Sequence, residues 1–388
     1  MSTERPRRPS RRWVGAVGAA AAVAAAVAVP ILLVGQDGPR AGSQVSGRPD
    51  DSALALGDYP AGAAPAEGYL AGNEFRAGSG HTRFAVPPTS VTEFAVVTGG
   101  YLLGTRDDLG DGQVAFVGDD GTTRGSWRVV PGNFLLTFVI APDHALVGVV
   151  QARGTSVVIE DAGRTVTKLP APAPGGGFEP IAVTGHTCTG PDADCALLVH
   201  GPAPVNADGT VRRTWMVRPG RPAEAVDGGI GEVRAVAANG FTAGTTRVID
   251  DGDGACAGVA DHDGSVLWTT CKDRLIAFSP DAGLLLASTS ALFGSGDHEL
   301  TVLDASSGDQ RLRLRTAKNV GIHEMVWEDD EHVLAVVSDW KVDRATESHT
   351  DVRWAVLRLG LDGSREYAVA PVAGEPEDYD GPIDLPRG

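Results

Sequence analysis

Six stretches of this chain repeat one another. Val96 in EFAVVTGGYLLG, Ile140 in TFVIAPDHALVG, Val183 in PIAVTGHT, Val236 in VRAVAANGFTAG, Phe278 in LIAFSPDAGLLLAS and Trp327 in EMVWEDDEHVLAV fall into one column, at successive steps of 44, 43, 53, 42 and 49 residues. In each unit two apolar runs flank a turn that follows the column residue, as at Pro280-Asp281-Ala282-Gly283. Most units place a second turn further on: Asp119-Asp120-Gly121, Asp161-Ala162-Gly163, Asp261-His262-Asp263-Gly264, Asp304 to Gly308, and Asp362-Gly363. Asp bonds its own backbone in such turns and Gly accepts positive φ, so each unit reads as two hairpins. Helical periodicity is scarce beyond residue 66, and short apolar runs bounded by Gly and Asp predict an all-β domain.

A four-stranded unit of about 40–45 residues is the size of one propeller blade. The step of 53 absorbs the loop after Cys188, and the polar stretch Lys341–Asp351 lengthens the last unit. Residues 67–87 add two expected strands, around Tyr69–Phe75 and His81–Val86, which look like the outer hairpin of a further blade. The tail after Pro371 is then available to supply that blade's inner strand. The expectation is a β-propeller over residues 67–388 with seven four-stranded blades closed by both chain ends, six being the alternative.

Ahead of this domain lies a different kind of sequence. Residues 1–12 carry five arginines against Glu4, a net +4, and residues 13–35 hold no charge at all. As a helix those 23 residues would span roughly 34 Å, enough to cross a bilayer. The arginine excess places the N-terminus in the cytoplasm and the rest of the chain outside. The competing reading is a cleaved signal peptide with Ala26-Val27-Ala28 as its cleavage site, which would leave the domain secreted. The apolar run continues through Ile31-Leu32-Leu33-Val34, which favours a transmembrane anchor. Residues 36–66 contain five Gly and four Pro and read as a flexible linker.

The formal charge of −17 leaves −21 for the chain beyond residue 12. Such an acidic domain offers no basic stripe for a phosphate backbone, which excludes nucleic acid as a partner class. The four cysteines fall into two local pairs, Cys188 with Cys195 and Cys256 with Cys271, the simplest of three possible connectivities, and an exported domain keeps disulfides. Their spacing matches no usual zinc knuckle.

Two segments resemble known propellers. Phe278-Ser279-Pro280-Asp281, followed by Leu303-Asp304-Ala305-Ser306-Ser307-Gly308-Asp309, resembles a WD40-type or TolB-type blade, with Leu303 where the Trp of the Trp-Asp pair usually stands. Ala260 to Trp268, ADHDGSVLW, is similar to the tryptophan-docking motif of quinoprotein-like propellers. The Gly-His of WD40 repeats is missing, so the resemblance covers about one blade by motif and the others by spacing. It implies the fold and no activity. The Ala-, Gly- and Arg-rich style also resembles membrane-anchored propeller proteins exported by high-GC bacteria.

Reaction motifs are broken or missing. No Gly-x-Ser-x-Gly elbow, phosphate loop or His-Glu-x-x-His occurs, and Trp327 stands where the second histidine after His323-Glu324 would be. That pair is expected on an inner strand. Asp250, Asp251 and Asp253 carry enough oxygens to suggest calcium but lack the residue order of a calcium loop, and read as an acidic turn. His186, His262 and His298 sit near turns without ligand spacing, and Trp127, Trp215, Trp268, Trp327 and Trp354 are expected to pack between blades, a carbohydrate groove being their sharper alternative. No residue is assigned a catalytic or cofactor-binding role, and no cofactor is implied. The expected function is a membrane-tethered extracytoplasmic scaffold that binds a protein or polymer partner through blade loops. The alternative is an exported hydrolase or lyase using carboxylates at the channel mouth, with or without calcium.

Overall fold

The computed structural model describes residues 53–387, apart from residues 79, 85–90, 107–111, 130–137, 142–143, 151–155, 161–164, 171, 173–177, 203–211, 227, 250–253, 290–295, 343–348 and 375–380. The expected tail and transmembrane anchor, and Asp250, Asp251 and Asp253, lie outside the described residues. Among the described residues no helix is long and apolar enough to cross a membrane.

The first strands are β1 (Tyr69–Ala71), β2 (Glu74–Ala77) and β3 (Gly80–Arg83). Blade 2 is β4 (Val91–Val97), β5 (Gly100–Arg106), β6 (Gly112–Gly118) and β7 (Thr123–Val129). Blade 3 is β8 (Phe138–Ile140), β9 (Val147–Val150), β10 (Ser156–Glu160) and β11 (Thr165–Leu169). Blade 4 is β12 (Glu179–Thr184), β13 (Ala196–Pro202), β14 (Arg212–Val217) and β15 (Glu224–Ala225). Blade 5 is β16 (Glu232–Val236), β17 (Thr242–Ile249), β18 (Gly254–Ala260) and β19 (Val266–Thr270). Blade 6 is β20 (Asp273–Phe278), β21 (Leu284–Thr289), β22 (Glu299–Asp304) and β23 (Gln310–Arg315). Blade 7 is β24 (Val320–Trp327), β25 (His332–Val342), β26 (His349–Gly360) and β27 (Arg365–Ala373). Finally β28 (Ile383–Asp384) pairs antiparallel with β1, so blade 1 has the order β28-β1-β2-β3 and joins the two ends of the domain.

Seven blades are therefore present, and the six-blade alternative is excluded. The expected Tyr69–Phe75 strand is instead two strands, because Gly72 adopts a φ of 62° and turns the chain. All six column residues lie on the first strand of their blade, next to the turn into the second strand. These first strands touch in succession, β8 with β12, β12 with β16, β16 with β20 and β20 with β24, and so line the channel.

Apolar burial follows the seams. One hydrophobic cluster fills each gap between neighbouring blades, for example Phe116 and Val114 of blade 2 against Phe138 and Val149 of blade 3. Each fully buried Leu, Val or Phe contributes roughly 1.5–3 kcal/mol relative to exposure, so every seam is worth several such terms. Tryptophans lock two seams through their indole N–H groups. Trp268 of blade 5 donates to Ala305 O of blade 6 at 2.8 Å, and Trp327 of blade 7 donates to Ala277 O of blade 6 at 3.1 Å. Gly308 makes the first contact possible, since a Cβ there would sit 2.8 Å from Trp268 Cδ2.

Residues 53–66 depart from the linker expectation and lie as a strap on blades 6 and 7. Leu54 forms a parallel bridge with Thr316 and Ala61 one with Tyr367. Leu54 and Leu56 are buried in the cluster between these blades. Tyr367 donates its hydroxyl to Gly57 O at 2.8 Å. Isolated apolar residues in a Gly- and Pro-rich stretch find partners hundreds of positions away, which no local pattern announces.

Candidate functional site

The channel wall is the first place to look for chemistry. Five first strands carry a β-bulge, at Thr92, Ile181, Arg234, Ile276 and His323, and the residue after the bulge occupies an equivalent place in each blade. Those residues are Glu93, Ala182, Ala235, Ala277 and Glu324. Blades 4, 5 and 6 thus place alanine there, while blades 2 and 7, which flank the closing blade 1, place carboxylates.

Between these two carboxylates runs the C-terminal segment. Leu385 N–H donates to Glu324 Oε2 at 2.7 Å, and Arg387 N–H donates to Phe94 O at 2.9 Å. Burial pushes the Glu324 carboxyl up, nearby Glu93 pushes it further, and Arg387 with the Leu385 amide oppose this without reversing it. The cluster fastens the end of the chain across the ring.

His323, next in the chain, points elsewhere. Its Nε2 lies 2.7 Å from Ser338 Oγ and its ring 4.3 Å from the Trp354 ring. Burial lowers its pKa to about 4, with no carboxylate contributing. A hydroxyl beside an imidazole has the composition of a nucleophile and its base, but Ser338 is only 2% exposed and the imidazole has lost its basicity. His323 and Ser338 form a packing contact between β24 and β25, and His323-Glu324 lies on an inner strand, as the sequence implied.

Several other described carboxylates serve structure. Arg313 bridges Asp273 at 2.9 Å and Glu299 at 3.1 Å within blade 6, and Arg274 meets Asp297 at 2.8 Å. Arg358 ion-pairs with Glu328 and Glu366 and donates to the carbonyls of Ala63 and Ala64 in the strap. Asp304 caps its own turn, and Arg311 with the Ser306 and Ser307 groups holds its carboxyl far below the usual range. No group of three or more His, Cys, Asp or Glu suited to a metal ion is present among the described residues. His186, His262 and His298 lie apart on three different blades' connections, and His298 Nδ1 is 3.1 Å from Val320 O.

Both disulfides form with the local pairing, Cys188–Cys195 and Cys256–Cys271. The first closes the hairpin between β12 and β13, and Glu160 of blade 3 accepts the Cys188 N–H and the Thr189 hydroxyl, the latter at 3.1 Å. The second ties β18 to the start of blade 6 and borders a cavity of about 420 Å³ at the seam of blades 5 and 6. The cavity was not legible beforehand, since its lining comes from two separate stretches, Trp268–Asp273 and Leu303–Gly308.

The chain matches no protein-family model and no curated protein. Among solved structures it is similar to one described as the crystal structure of the eukaryotic initiation factor, with 12% identity, a TM-score of 0.43, and coverage of 88% of this chain and 93% of that one. It is also similar to a structure described as YCF48 bound to D1 peptide, with 11% identity, a TM-score of 0.40, and coverage of 81% and 87%. At these identities nothing about activity transfers. By its own strand order, the chain is a seven-bladed β-propeller of four-stranded antiparallel blades.

Proposed function

We propose that this protein is a membrane-tethered extracytoplasmic propeller that binds a protein or polymer partner through the loops at one mouth of its channel. Residues 13–35 are the anchor, with residues 1–12 inside. The uncharged run behind an arginine cluster supports the topology, and the two disulfides suit an oxidising compartment.

One observation carries the binding role, the spacing of the strand ends at one face. In blades 6 and 7 the turns between first and second strands, or between third and fourth, close on themselves: Ser279 N–H donates to Leu284 O, Asp304 N–H to Asp309 O and Gly360 N–H to Ser364 O. In blades 2–7 the second strand ends and the third begins at the opposite face, with four to nine residues between them in sequence. A rigid scaffold with variable loops gathered at one end is how recognition surfaces are built.

Proteolysis of intact cells tests the topology, with loss of the propeller and survival of the N-terminal tail expected. For the binding role, cross-linked partners of the full-length chain are compared with those of a chain whose residues 203–211 are replaced by Gly-Ser repeats of equal length. Loss of a specific partner there, with retention when the Asp362-Gly363 turn becomes Asn-Gly, supports the proposal. The reverse pattern overturns it, as does turnover of a glycan or phosphoester that chelator abolishes.

A further inference from the structure

The cavity lies at the seam of blades 5 and 6, between the outer strand of blade 5 and the first and third strands of blade 6. One wall is the run Trp268-Thr269-Thr270-Cys271-Lys272-Asp273, and the other is Leu303 with Ser307 and Gly308. Its volume of about 420 Å³ falls inside the range of roughly 300–1,000 Å³ typical of small-molecule sites. The first wall is held from three sides. Trp268 is hydrogen-bonded to Ala305 O, Cys271 is bonded to Cys256, and Lys272 N–H donates to Thr270 Oγ1 at 3.2 Å. A wall fixed before a ligand arrives lowers the ordering cost of binding.

The lining chemistry selects a ligand class. With its N–H bonded to Ala305 and Gly308 seated against its ring, Trp268 offers a ligand the part of its ring left exposed, beside the largely buried Leu303. Around them stand the hydroxyls of Thr269, Thr270 and Ser307, the Lys272 ammonium and the Asp273 carboxylate. An anion would meet Asp273, whereas a cation would meet Lys272 and the Arg313 that pairs with Asp273. A hydrocarbon would strip water from hydroxyls and an ammonium and return no hydrogen bond. A neutral ring with an apolar face and a polar rim satisfies both parts of the lining at once, the face on Trp268 and the hydroxyls on Thr269 and Lys272, with Thr270 and Ser307 offering the capacity left by their bonds to Asp273 and Asp309.

We infer that this seam is a binding groove for a neutral saccharide of one or two pyranose rings. This groove is inferred without recourse to the proposed partner binding, which the replacement of residues 203–211 tests separately.

Saturation-transfer NMR on the full-length chain, with maltose, cellobiose and chitobiose each at about 10 mM, reads even weak complexes of this kind. Transfer to at least one sugar, with a matching change in tryptophan fluorescence, is expected. Lys272→Met and Thr269→Val change two exposed side chains, so melting should be unaffected while sugar affinity falls about 3- to 10-fold for each. Absence of transfer to all three sugars overturns the inference. So does transfer that is identical in wild type and both variants, or binding of inorganic phosphate in place of sugar.

Discussion

Leu385 N–H donates to Glu324 Oε2 at 2.7 Å, tying the last residues of the chain to the inner strand of blade 7. The bond matters because β28 contributes only two paired positions to blade 1, Leu70 with Asp384 and Ala71 with Ile383. Glu324→Ala leaves the Leu385 amide without its acceptor and should cost about 1–3 kcal/mol in urea unfolding. Glu324→Gln keeps an acceptor. The carboxyl pKa is raised above its ordinary 4.5, so Glu324 favours the fold below about 4.5 and this is lost as pH rises through the folded pKa. At pH 7 the amide variant should therefore be at least as stable as wild type, and equal losses for both variants would refute the account.

His323 works in the opposite direction. Burial holds its pKa at about 4 against an ordinary 6.5, so the folded state stays neutral where the unfolded chain takes up a proton. Its stabilising contribution is full above about 6.5 and is lost as pH falls toward 4. His323→Gln, which retains a partner for Ser338, should flatten the pH dependence of stability across that window by on the order of 2 kcal/mol. Parallel urea titrations of the two proteins would measure the difference.

The strap depends on Arg358. Its guanidinium is largely buried, and burial alone would raise the Glu328 carboxyl, yet Arg358 holds that group below its usual range. Arg358→Met strands two carboxylates and releases the carbonyls of Ala63 and Ala64. A loss of about 3–5 kcal/mol is expected. A chain that lacks residues 53–66 should show a comparable fall in melting temperature, because it uncovers the site of Leu54 and Leu56 between blades 6 and 7.

How far the sequence carried this structure depends on the distance between partners. Column residues such as Phe278 and Val236 were legible because each hairpin is local, and Asp-Gly turns mark its ends. The bulges were not. Val96 and Trp327 lie four residues past a bulge, whereas Val183, Val236 and Phe278 lie two past it, so aligning the turns hides the shared position of Glu93 and Glu324. The Cys188–Cys195 pair was visible from a seven-residue separation. Leu54 with Thr316, and Glu324 with Leu385, needed the closed ring before they could meet.

Exposure distinguishes the two disulfides, and it sets the order in which they should open. Cys188 and Cys195 are 3% and 1% exposed, under a loop that Glu160 clamps to blade 3, whereas Cys271 is exposed on the rim although Cys256 is buried. Thiol exchange requires an attacking thiolate to reach a sulfur, so a mild reductant should open Cys256–Cys271 first. Cys188–Cys195 should persist until blades 3 and 4 separate. Alkylation after timed exposure to dithiothreitol, followed by peptide mass mapping, gives the order directly. Glu160→Ala should then accelerate reduction of the first bridge and leave the second unchanged, because the Cys188 N–H and the Thr189 hydroxyl lose their acceptor while β18 keeps its contacts. Equal rates for the two bridges in the wild-type protein, or no response to Glu160→Ala, would show that the clamp does not shield the loop.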